Sequence, residues 1–136
     1  MYPEYLVAPM RQELTSAGFE DLRTAEEVDQ AIKTEGTVLV MINSVCGCAA
    51  ANARPAAKIS TQSEKHPDKF VTVFAGMEKE AVDQARSYMM PYPPSSPSMA
   101  LFKAGKLVHM IERHQIEGRP AQMIADNLSQ AFEQYC

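Results

Sequence analysis

The segment that most restricts the fold of this chain is TVLVMINSVCGC, which occupies residues 37–48. Within it, Val38 to Ile42 form a continuous apolar run that is rich in β-branched side chains and short enough for a buried β-strand. The segment after Cys48 is rich in alanine and favours a helix. The sequence therefore predicts a buried strand that delivers Cys46 and Cys48 to the first turn of a helix.

Two cysteines at the start of a helix lie in an electrostatic environment that suits thiol chemistry. The first N–H groups of a helix have no intrahelical partner and the helix dipole is positive at this end, so an anion is stabilised there. A thiolate is such an anion, and a cysteine with a lowered pKa is a nucleophile near neutral pH. This strand–helix junction is the strongest functional signal in the sequence.

Composition and charge argue against several other classes of protein. A chain of 136 residues is long enough for one domain with a sizeable core. The net charge of −4 is spread without long blocks, which argues against nucleic acid as the main partner. No apolar run is long enough for a membrane span, so no membrane partner is expected. The 3 cysteines do not resemble a secreted disulfide framework and the N-terminus lacks a secretory signal, so we expect a reducing cytoplasm.

Strand and helix signals alternate along the chain and predict an α/β fold. Besides the strand before the cysteines, the predicted strands cover residues 19–22, 70–75, 99–103 and 107–111. Strands separated by helices pair in parallel through crossovers, whereas the short turn before residue 107 predicts an antiparallel hairpin. The sheet should therefore be mixed.

Two prolines lead to specific expectations for the helices. Pro9 suits the first turn of a helix, so residues 1–8 are expected to be loosely structured. Pro55 lies well inside the helix that follows the cysteines, and an internal proline should kink that helix.

Several segments resemble a known family when they are taken together. The strand–cysteine–helix junction, the Ser96-Pro97 pair before a strand and the hairpin LFKAGKLV resemble the thioredoxin fold. More narrowly, the segments NSVCGCAAANARPAA, TVFAG, PPSSPSMALFK and RHQIEG, with a cysteine at the extreme C-terminus, resemble the bacilliredoxins. The resemblance implies a thioredoxin-like α/β fold over residues 1–136, with a central mixed sheet flanked by helices on both faces and an N-terminal helical extension.

The resemblance also implies an activity. Bacilliredoxins remove bacillithiol from mixed disulfides on oxidised proteins, and related members are described as disulfide isomerases. The expected partners are therefore bacillithiolated or disulfide-bonded proteins and a low-molecular-weight thiol. Bacillithiol would act as a substrate or co-substrate, and no cofactor or metal is expected. The molecule itself is expected to be a monomer or a weak dimer.

Site residues carry over from the resemblance by their positions. Cys46 is the expected nucleophile and the more exposed thiol, and Cys48 is the neighbouring thiol that could resolve a mixed disulfide. Gly47 should ease the bend of a Cys46–Cys48 disulfide, because glycine tolerates unusual backbone angles. Pro97 is expected to follow a cis peptide bond and to face the cysteines, so that the edge at Ser96 pairs with substrate.

The chain departs from the thioredoxin pattern in two respects, and its last cysteine has no assigned role. Val45 precedes Cys46 where thioredoxins have a tryptophan. The strand before the cysteines contains no acidic residue, so the group that deprotonates Cys48 is open. Cys136 could resolve a mixed disulfide on Cys46, bridge two molecules, or be a free end without a role. Replacing Cys136 by serine distinguishes these three possibilities.

Two further interpretations concern metals and charges. A metal-binding module is the alternative from another functional class, with zinc or copper(I) held by Cys46, Cys48, Cys136 and a histidine. No second close Cys/His pair accompanies the cysteines, which makes such a site less favoured. Arg54, in the helix after the cysteines, could attract the carboxylates of bacillithiol, but it is interpreted as a solvated charge.

Overall fold

The computed structural model describes residues 1–136 and contains one mixed sheet of 5 strands with helices on both sides. The strands are β1 (Glu20–Asp21), β2 (Thr37–Asn43), β3 (Lys69–Phe74), β4 (Ser98–Lys103) and β5 (Lys106–Ile111). The helices are α1 (Glu4–Thr15), α2 (Ala25–Ile32), α3 (Arg54–Ser60), α4 (Lys79–Ser87), α5 (Arg113–Ile116) and α6 (Ala121–Tyr135), and a π-helical segment, Ala49–Ala53, leads into α3. None of these helices combines the length and apolar character needed to cross a bilayer.

The strand that precedes the cysteines is the centre of the sheet. The strand order is β1-β3-β2-β4-β5, in which β2 pairs in parallel with β3 and antiparallel with β4. β1 is a short edge strand parallel to β3, and β4 and β5 form the antiparallel hairpin. Every residue of β2 is buried. The predicted mixed α/β sheet is therefore confirmed.

Two apolar cores cover the two faces of the sheet, which explains why β2 is apolar at consecutive positions. Leu39 and Met41 point to the core that contains α3 and α6, whereas Val38, Val40 and Ile42 point to the core that contains α2 and α4. A strand covered on both faces has no solvent-facing side and therefore shows no polar alternation. The helices on both faces agree with the predicted thioredoxin-like arrangement.

The expectation that residues 1–8 are loosely structured is wrong. α1 begins at Glu4, so Pro9 lies inside the helix rather than in its first turn. Val7 is fully buried and packs with Phe74 and Met77, and Arg11 is buried among carboxylates. These tertiary contacts stabilise the first turns of α1 and offset the backbone hydrogen bond that an internal proline removes.

Pro55 lies inside a continuous helical segment, as predicted, and the backbone before it is irregular. The backbone runs as a π-helix over Ala49–Ala53, and Pro55 falls in the first turn of α3. The helical backbone is continuous here, because Ala53 is in the right-handed helical conformation and the N–H of Arg54 donates to the Ala49 carbonyl in the π-helical pattern. The wider π-helical turn lies directly before the proline, which lacks an N–H and would clash with a carbonyl of a regular preceding turn.

Candidate thiol–disulfide exchange site

The two neighbouring cysteines lie at the carboxyl end of β2, where the helical backbone begins. The carbonyl of Cys46 accepts hydrogen bonds from the backbone N–H groups of Ala49 and Ala50, at 3.1 and 3.2 Å. Cys46 therefore stands at the predicted place, directly before the first helical turn. Cys46 and Cys48 are both half-buried, so the expected greater exposure of Cys46 is not seen, and the distinction between them comes from their hydrogen bonds.

Cys46 is surrounded by donors that stabilise its thiolate. Burial acts to raise the pKa of Cys46, but hydrogen bonds from the Cys48 thiol, the Ser44 hydroxyl and nearby backbone N–H groups outweigh it and lower this pKa below the usual thiol value. Ser44 also accepts a hydrogen bond from the backbone N–H of Cys46, at 3.2 Å. Cys46 is therefore the thiol that is prepared to act as a nucleophile.

Cys48 has the opposite electrostatic environment. Burial raises its pKa, and the hydrogen bond that it donates to Cys46 and the negative charge of Cys46 raise it further. The charge of Arg113 lowers the pKa of Cys48, whereas that of Glu117 raises it. Cys46 therefore loses its proton more readily than Cys48, which is the order that sequential attack and resolution require.

Beneath the cysteines lies a buried cation that was expected to be solvated. Arg54 is only 2% exposed, so the interpretation of this residue as a solvated charge is wrong. Its guanidinium donates to the Ser44 carbonyl at 2.7 Å, to Asn43 Oδ1 at 3.0 Å and to Glu13 Oε2 at 3.0 Å. A buried arginine requires partners at each of its donors, and the turn that carries Cys46 supplies two of them.

The loop before β4 contains the predicted cis-proline. The peptide bond between Ser96 and Pro97 is cis, as expected, and Met90–Pro91 is a second cis bond that the sequence analysis did not identify. The Ser96 carbonyl accepts a hydrogen bond from Arg113 Nη1 at 3.3 Å. The role of this edge in substrate binding stays a prediction.

Arg113 and Glu117 are the site residues that the sequence analysis missed. They belong to α5 and the turn after it, and Arg113 Nε donates to Glu117 Oε2 at 3.1 Å. The segment RHQIEG contains both residues, but their roles depend on their proximity to Cys48, which lies 65 positions before Arg113 in the chain. The spacing of four residues indicates a helical ion pair and gives no sign of that proximity.

Gly47 does not have the backbone conformation that would require a glycine. Its φ angle lies outside the left-handed region, and a Cβ placed on it would have no heavy atom within 4 Å. The conformational freedom of Gly47 is therefore not required for the backbone of the dithiol form. Any such role belongs to the disulfide form and stays a prediction.

Cys136 lies at the opposite end of the sheet from the other two cysteines. Its thiol contacts the hydroxyl of Thr37, the first residue of β2, whereas Cys46 follows the last residue of that strand. A seven-residue strand spans about 20 Å. Cys136 is therefore too far away to share a coordination sphere or an intramolecular disulfide with Cys46 and Cys48, and no group of 3 or more histidine, cysteine or acidic side chains is arranged to hold a metal ion.

Known proteins resemble this chain over nearly its whole length. A family model described as disulphide isomerase matches residues 2–136. A bacilliredoxin of Cytophaga hutchinsonii is 55% identical over 134 residues, covering 98% of this chain and 99% of that protein. A bacilliredoxin of Staphylococcus aureus is 52% identical, covering 100% of this chain and 94% of that protein.

Solved structures show the same fold at low sequence identity. A thioredoxin of Trypanosoma brucei brucei has a TM-score of 0.59 at 17% identity, covering 86% of this chain and 93% of that one. A variant thioredoxin of Halobacterium salinarum has a TM-score of 0.59 at 18% identity, covering 88% of this chain and 91% of that one. These similarities establish the thioredoxin fold.

Proposed function

This chain belongs to the disulphide isomerase family, whose curated relatives are named bacilliredoxins, and we propose that it removes bacillithiol from mixed disulfides on oxidised proteins. It is a thiol–disulfide oxidoreductase of thioredoxin fold. The observation that carries the proposal is the geometry of the site, in which two free thiols lie directly before the first helical turn and the cis Ser96–Pro97 bond leads into β4 beside β2. The proposed location is the cytoplasm.

The first step of the proposed reaction is attack by the Cys46 thiolate on the bacillithiol sulfur of the mixed disulfide. The bond between the two substrate sulfurs breaks, and a new disulfide forms between Cys46 and bacillithiol. The target protein leaves as a thiolate and takes a proton from solvent, so the exchange needs no outside oxidant. Ser96 and Pro97 are the proposed edge for the polypeptide part of the substrate, which supplies specificity beyond the small thiol.

The second step regenerates Cys46. Cys48 loses its proton and attacks Cys46 Sγ, which releases bacillithiol and forms a Cys46–Cys48 disulfide. A low-molecular-weight thiol then reduces this disulfide in two further exchanges. The proposed partners are thus disulfide-bonded or bacillithiolated proteins and a small thiol, and the chemistry requires no metal or prosthetic group.

Mass spectrometry of defined variants tests this proposal. A bacillithiolated target protein is mixed with the wild type, with Cys46→Ser and with Cys48→Ser. We expect the wild type to restore the target, Cys48→Ser to retain bacillithiol on Cys46, and Cys46→Ser to leave the target modified. Bacillithiol that stays on the target in all three reactions contradicts the proposal.

Isomerisation of protein disulfides is a second candidate function, because the family model that matches the chain is described as disulphide isomerase. The same Cys46 thiolate would attack a non-native protein disulfide, and release from the enzyme would occur when a substrate cysteine attacks Cys46. Refolding of a protein with scrambled disulfides distinguishes the two functions. Isomerase activity that persists in Cys48→Ser, together with no removal of bacillithiol by the wild type, supports the second function over the first.

A further inference from the structure

Resolution of a mixed disulfide on Cys46 requires a thiolate at Cys48, yet β2 contains no carboxylate that could accept the proton. The sheet brings α5 to the end of β2 that carries the cysteines, because Ser98, which follows the cis-proline, pairs with Ile42 of β2, and the next residue, Met99, pairs with Ile111 at the end of β5. Arg113 and Glu117 follow β5 directly, and with Cys46 they are the charged groups that shift the pKa of Cys48. Arg113 and Glu117 form a pair of opposite charges. Arg113 and Glu117 are therefore the residues that can control the deprotonation of Cys48.

Arg113 is held in a defined position although its side chain is exposed. Its Nη1 donates to the carbonyl of Ser96 at 3.3 Å, and its Nε donates to Glu117 Oε2 at 3.1 Å. Its backbone N–H donates to Ser95 Oγ at 3.4 Å. These contacts attach the charge to the cis-proline loop, so its position does not depend on a freely moving side chain.

The influence of this pair on Cys48 changes during the reaction. In the dithiol form, the strongest influences besides burial are the hydrogen bond to Cys46 and the negative charge of Cys46, which both keep the proton on Cys48. When Cys46 enters a mixed disulfide, its sulfur becomes neutral and both of these influences disappear. The charges of Arg113 and Glu117 then act on Cys48 without a competing charge from Cys46.

We propose that Arg113 and Glu117 together set the rate at which Cys48 resolves a mixed disulfide on Cys46. Arg113 is a positioning residue that attracts the Cys48 thiolate and so accelerates the step, and Glu117 opposes it. In this step Cys48 gives its proton to solvent, its sulfur bonds to Cys46 Sγ, and the bound thiol leaves as a thiolate and is protonated. This inference rests on the proposed function, in which Cys48 is the resolving thiol.

The neutral disulfide dithiodipyridine separates the two steps in one experiment. One equivalent of probe is added to the protein in a Cys136→Ser background, which removes the exposed third thiol and is shared by all variants. Attack by Cys46 then releases one equivalent of thiopyridone, and resolution by Cys48 releases a second equivalent, so absorbance shows two phases. The probe carries no carboxylate that could bind Arg113 directly. Changes in the second phase therefore report on Cys48.

We expect Arg113→Gln to slow the second phase about two- to fivefold near neutral pH, the range that exposed charge interactions support. Its pH profile should shift to higher pH, because the Cys48 thiolate loses a stabilising charge. Glu117→Gln should accelerate the second phase and shift the profile to lower pH. High salt should reduce both differences, since these charges are exposed to solvent.

Three variants distinguish this mechanism from a structural effect. Arg119→Gln removes an equally exposed charge from the same segment and should leave both phases unchanged. Arg113→Lys should give a second phase between those of the wild type and Arg113→Gln, because the charge is kept while the guanidinium contacts that position it are lost. Loss of rate in Arg113→Lys equal to that in Arg113→Gln, or a slower second phase in Glu117→Gln, overturns the inference.

Failure of the proposed function gives a different result. In the Cys136→Ser background, a protein that releases no first equivalent, or an added Cys48→Ser substitution that still gives two, contradicts the roles of Cys46 and Cys48 themselves. Two normal phases in the wild type with no response to Arg113 or Glu117 contradict only the role of this pair.

Discussion

At the scale of single residues, Ser44 connects the backbone of the active-site turn to the reactive sulfur. Its hydroxyl accepts from the Cys46 backbone N–H and donates to Cys46 Sγ, and its carbonyl accepts from Arg54. Burial would raise the pKa of Cys46, so the lowered value depends on donors such as this one. Ser44 itself is buried, which keeps competing water away from these hydrogen bonds.

We predict that Ser44→Ala raises the pKa of Cys46, because the thiolate loses a hydrogen-bond donor while the effect of burial stays. Below this pKa the thiolate fraction falls, so attack on a neutral disulfide should slow about two- to tenfold near neutral pH. Well above it the two rates should converge. The pH dependence of thiol alkylation measures the shift.

A matched control for this prediction is Ser60→Ala. Ser60 is a fully buried serine of α3 whose hydroxyl donates to the Ala57 carbonyl within the same helix. Its removal should leave the alkylation profile of Cys46 unchanged. Equal profiles for the wild type and Ser44→Ala contradict the role assigned to the Ser44 hydroxyl.

The residues of the site differ in how far the sequence could reveal them. Cys46 and Cys48 were predictable because their position follows from a local pattern, an apolar strand followed by a helix. Arg113 was not, because its importance arises from tertiary proximity to Cys48 and no local pattern encodes that distance. Arg54 was misinterpreted for a related reason, since alanine neighbours on a helix do not show which face is buried.

At the scale of elements, α1 and α3 support the turn that carries Cys46. Asn43 Nδ2 donates to the Met10 carbonyl of α1 at 3.2 Å, and Arg54 of α3 donates to Glu13 of α1. α1 thus buttresses the active-site turn from one side of the sheet. The sequence predicted a helix here but placed its start too late, because the burial of Val7 is a tertiary property.

We predict that Arg54→Leu lowers the free energy of unfolding by about 2–4 kcal/mol, because the buried Ser44 carbonyl loses the Arg54 donor and Asn43 Oδ1 keeps only the backbone N–H of Ser44. The loss should stay below that of a fully buried ion pair, since Glu13 is 38% exposed in its side chain and regains water. Denaturant unfolding measures the change. Lys58→Leu, at an exposed position of the same helix, is the control and should change stability by less than about 0.5 kcal/mol.

A loss for Arg54→Leu as small as that of the control would show that the buried guanidinium contributes little beyond its apolar contacts. Glu13→Gln provides a second comparison. The amide can still accept from Arg54 Nε, so this variant should cost less than Arg54→Leu. A larger loss in Glu13→Gln would assign the stability to the ion pair and contradict the importance of Asn43 and Ser44 as acceptors.

At the scale of the whole molecule, the sheet separates two chemically different ends. The parallel strands β2 and β3 both end at the edge that carries Cys46, Cys48 and the cis-proline loop. Cys136 lies beside Thr37, at the opposite end of β2. The mixed sheet could be predicted from the order of strands and helices. The position of Cys136 could not, because it depends on how α6 packs against the sheet, and the local sequence does not encode that packing.

We predict that Cys136→Ser leaves both the attack by Cys46 and its resolution unchanged within about twofold. An intramolecular disulfide requires Cα atoms within about 7 Å, and the length of β2 separates these cysteines by about 20 Å. A hydrogen bond from the Cys136 backbone N–H to the Phe132 carbonyl, at 2.8 Å, continues α6 to its last residue and holds the thiol at the far end of β2.

Resolution by Cys136 would therefore have to occur between two molecules. Resolution is measured in Cys48→Ser at two protein concentrations. A rate that rises with concentration, and that disappears in the double variant with Cys136→Ser, assigns Cys136 an intermolecular role. A mixed disulfide that stays trapped at both concentrations shows that the Cys136 thiol takes no part in the reaction.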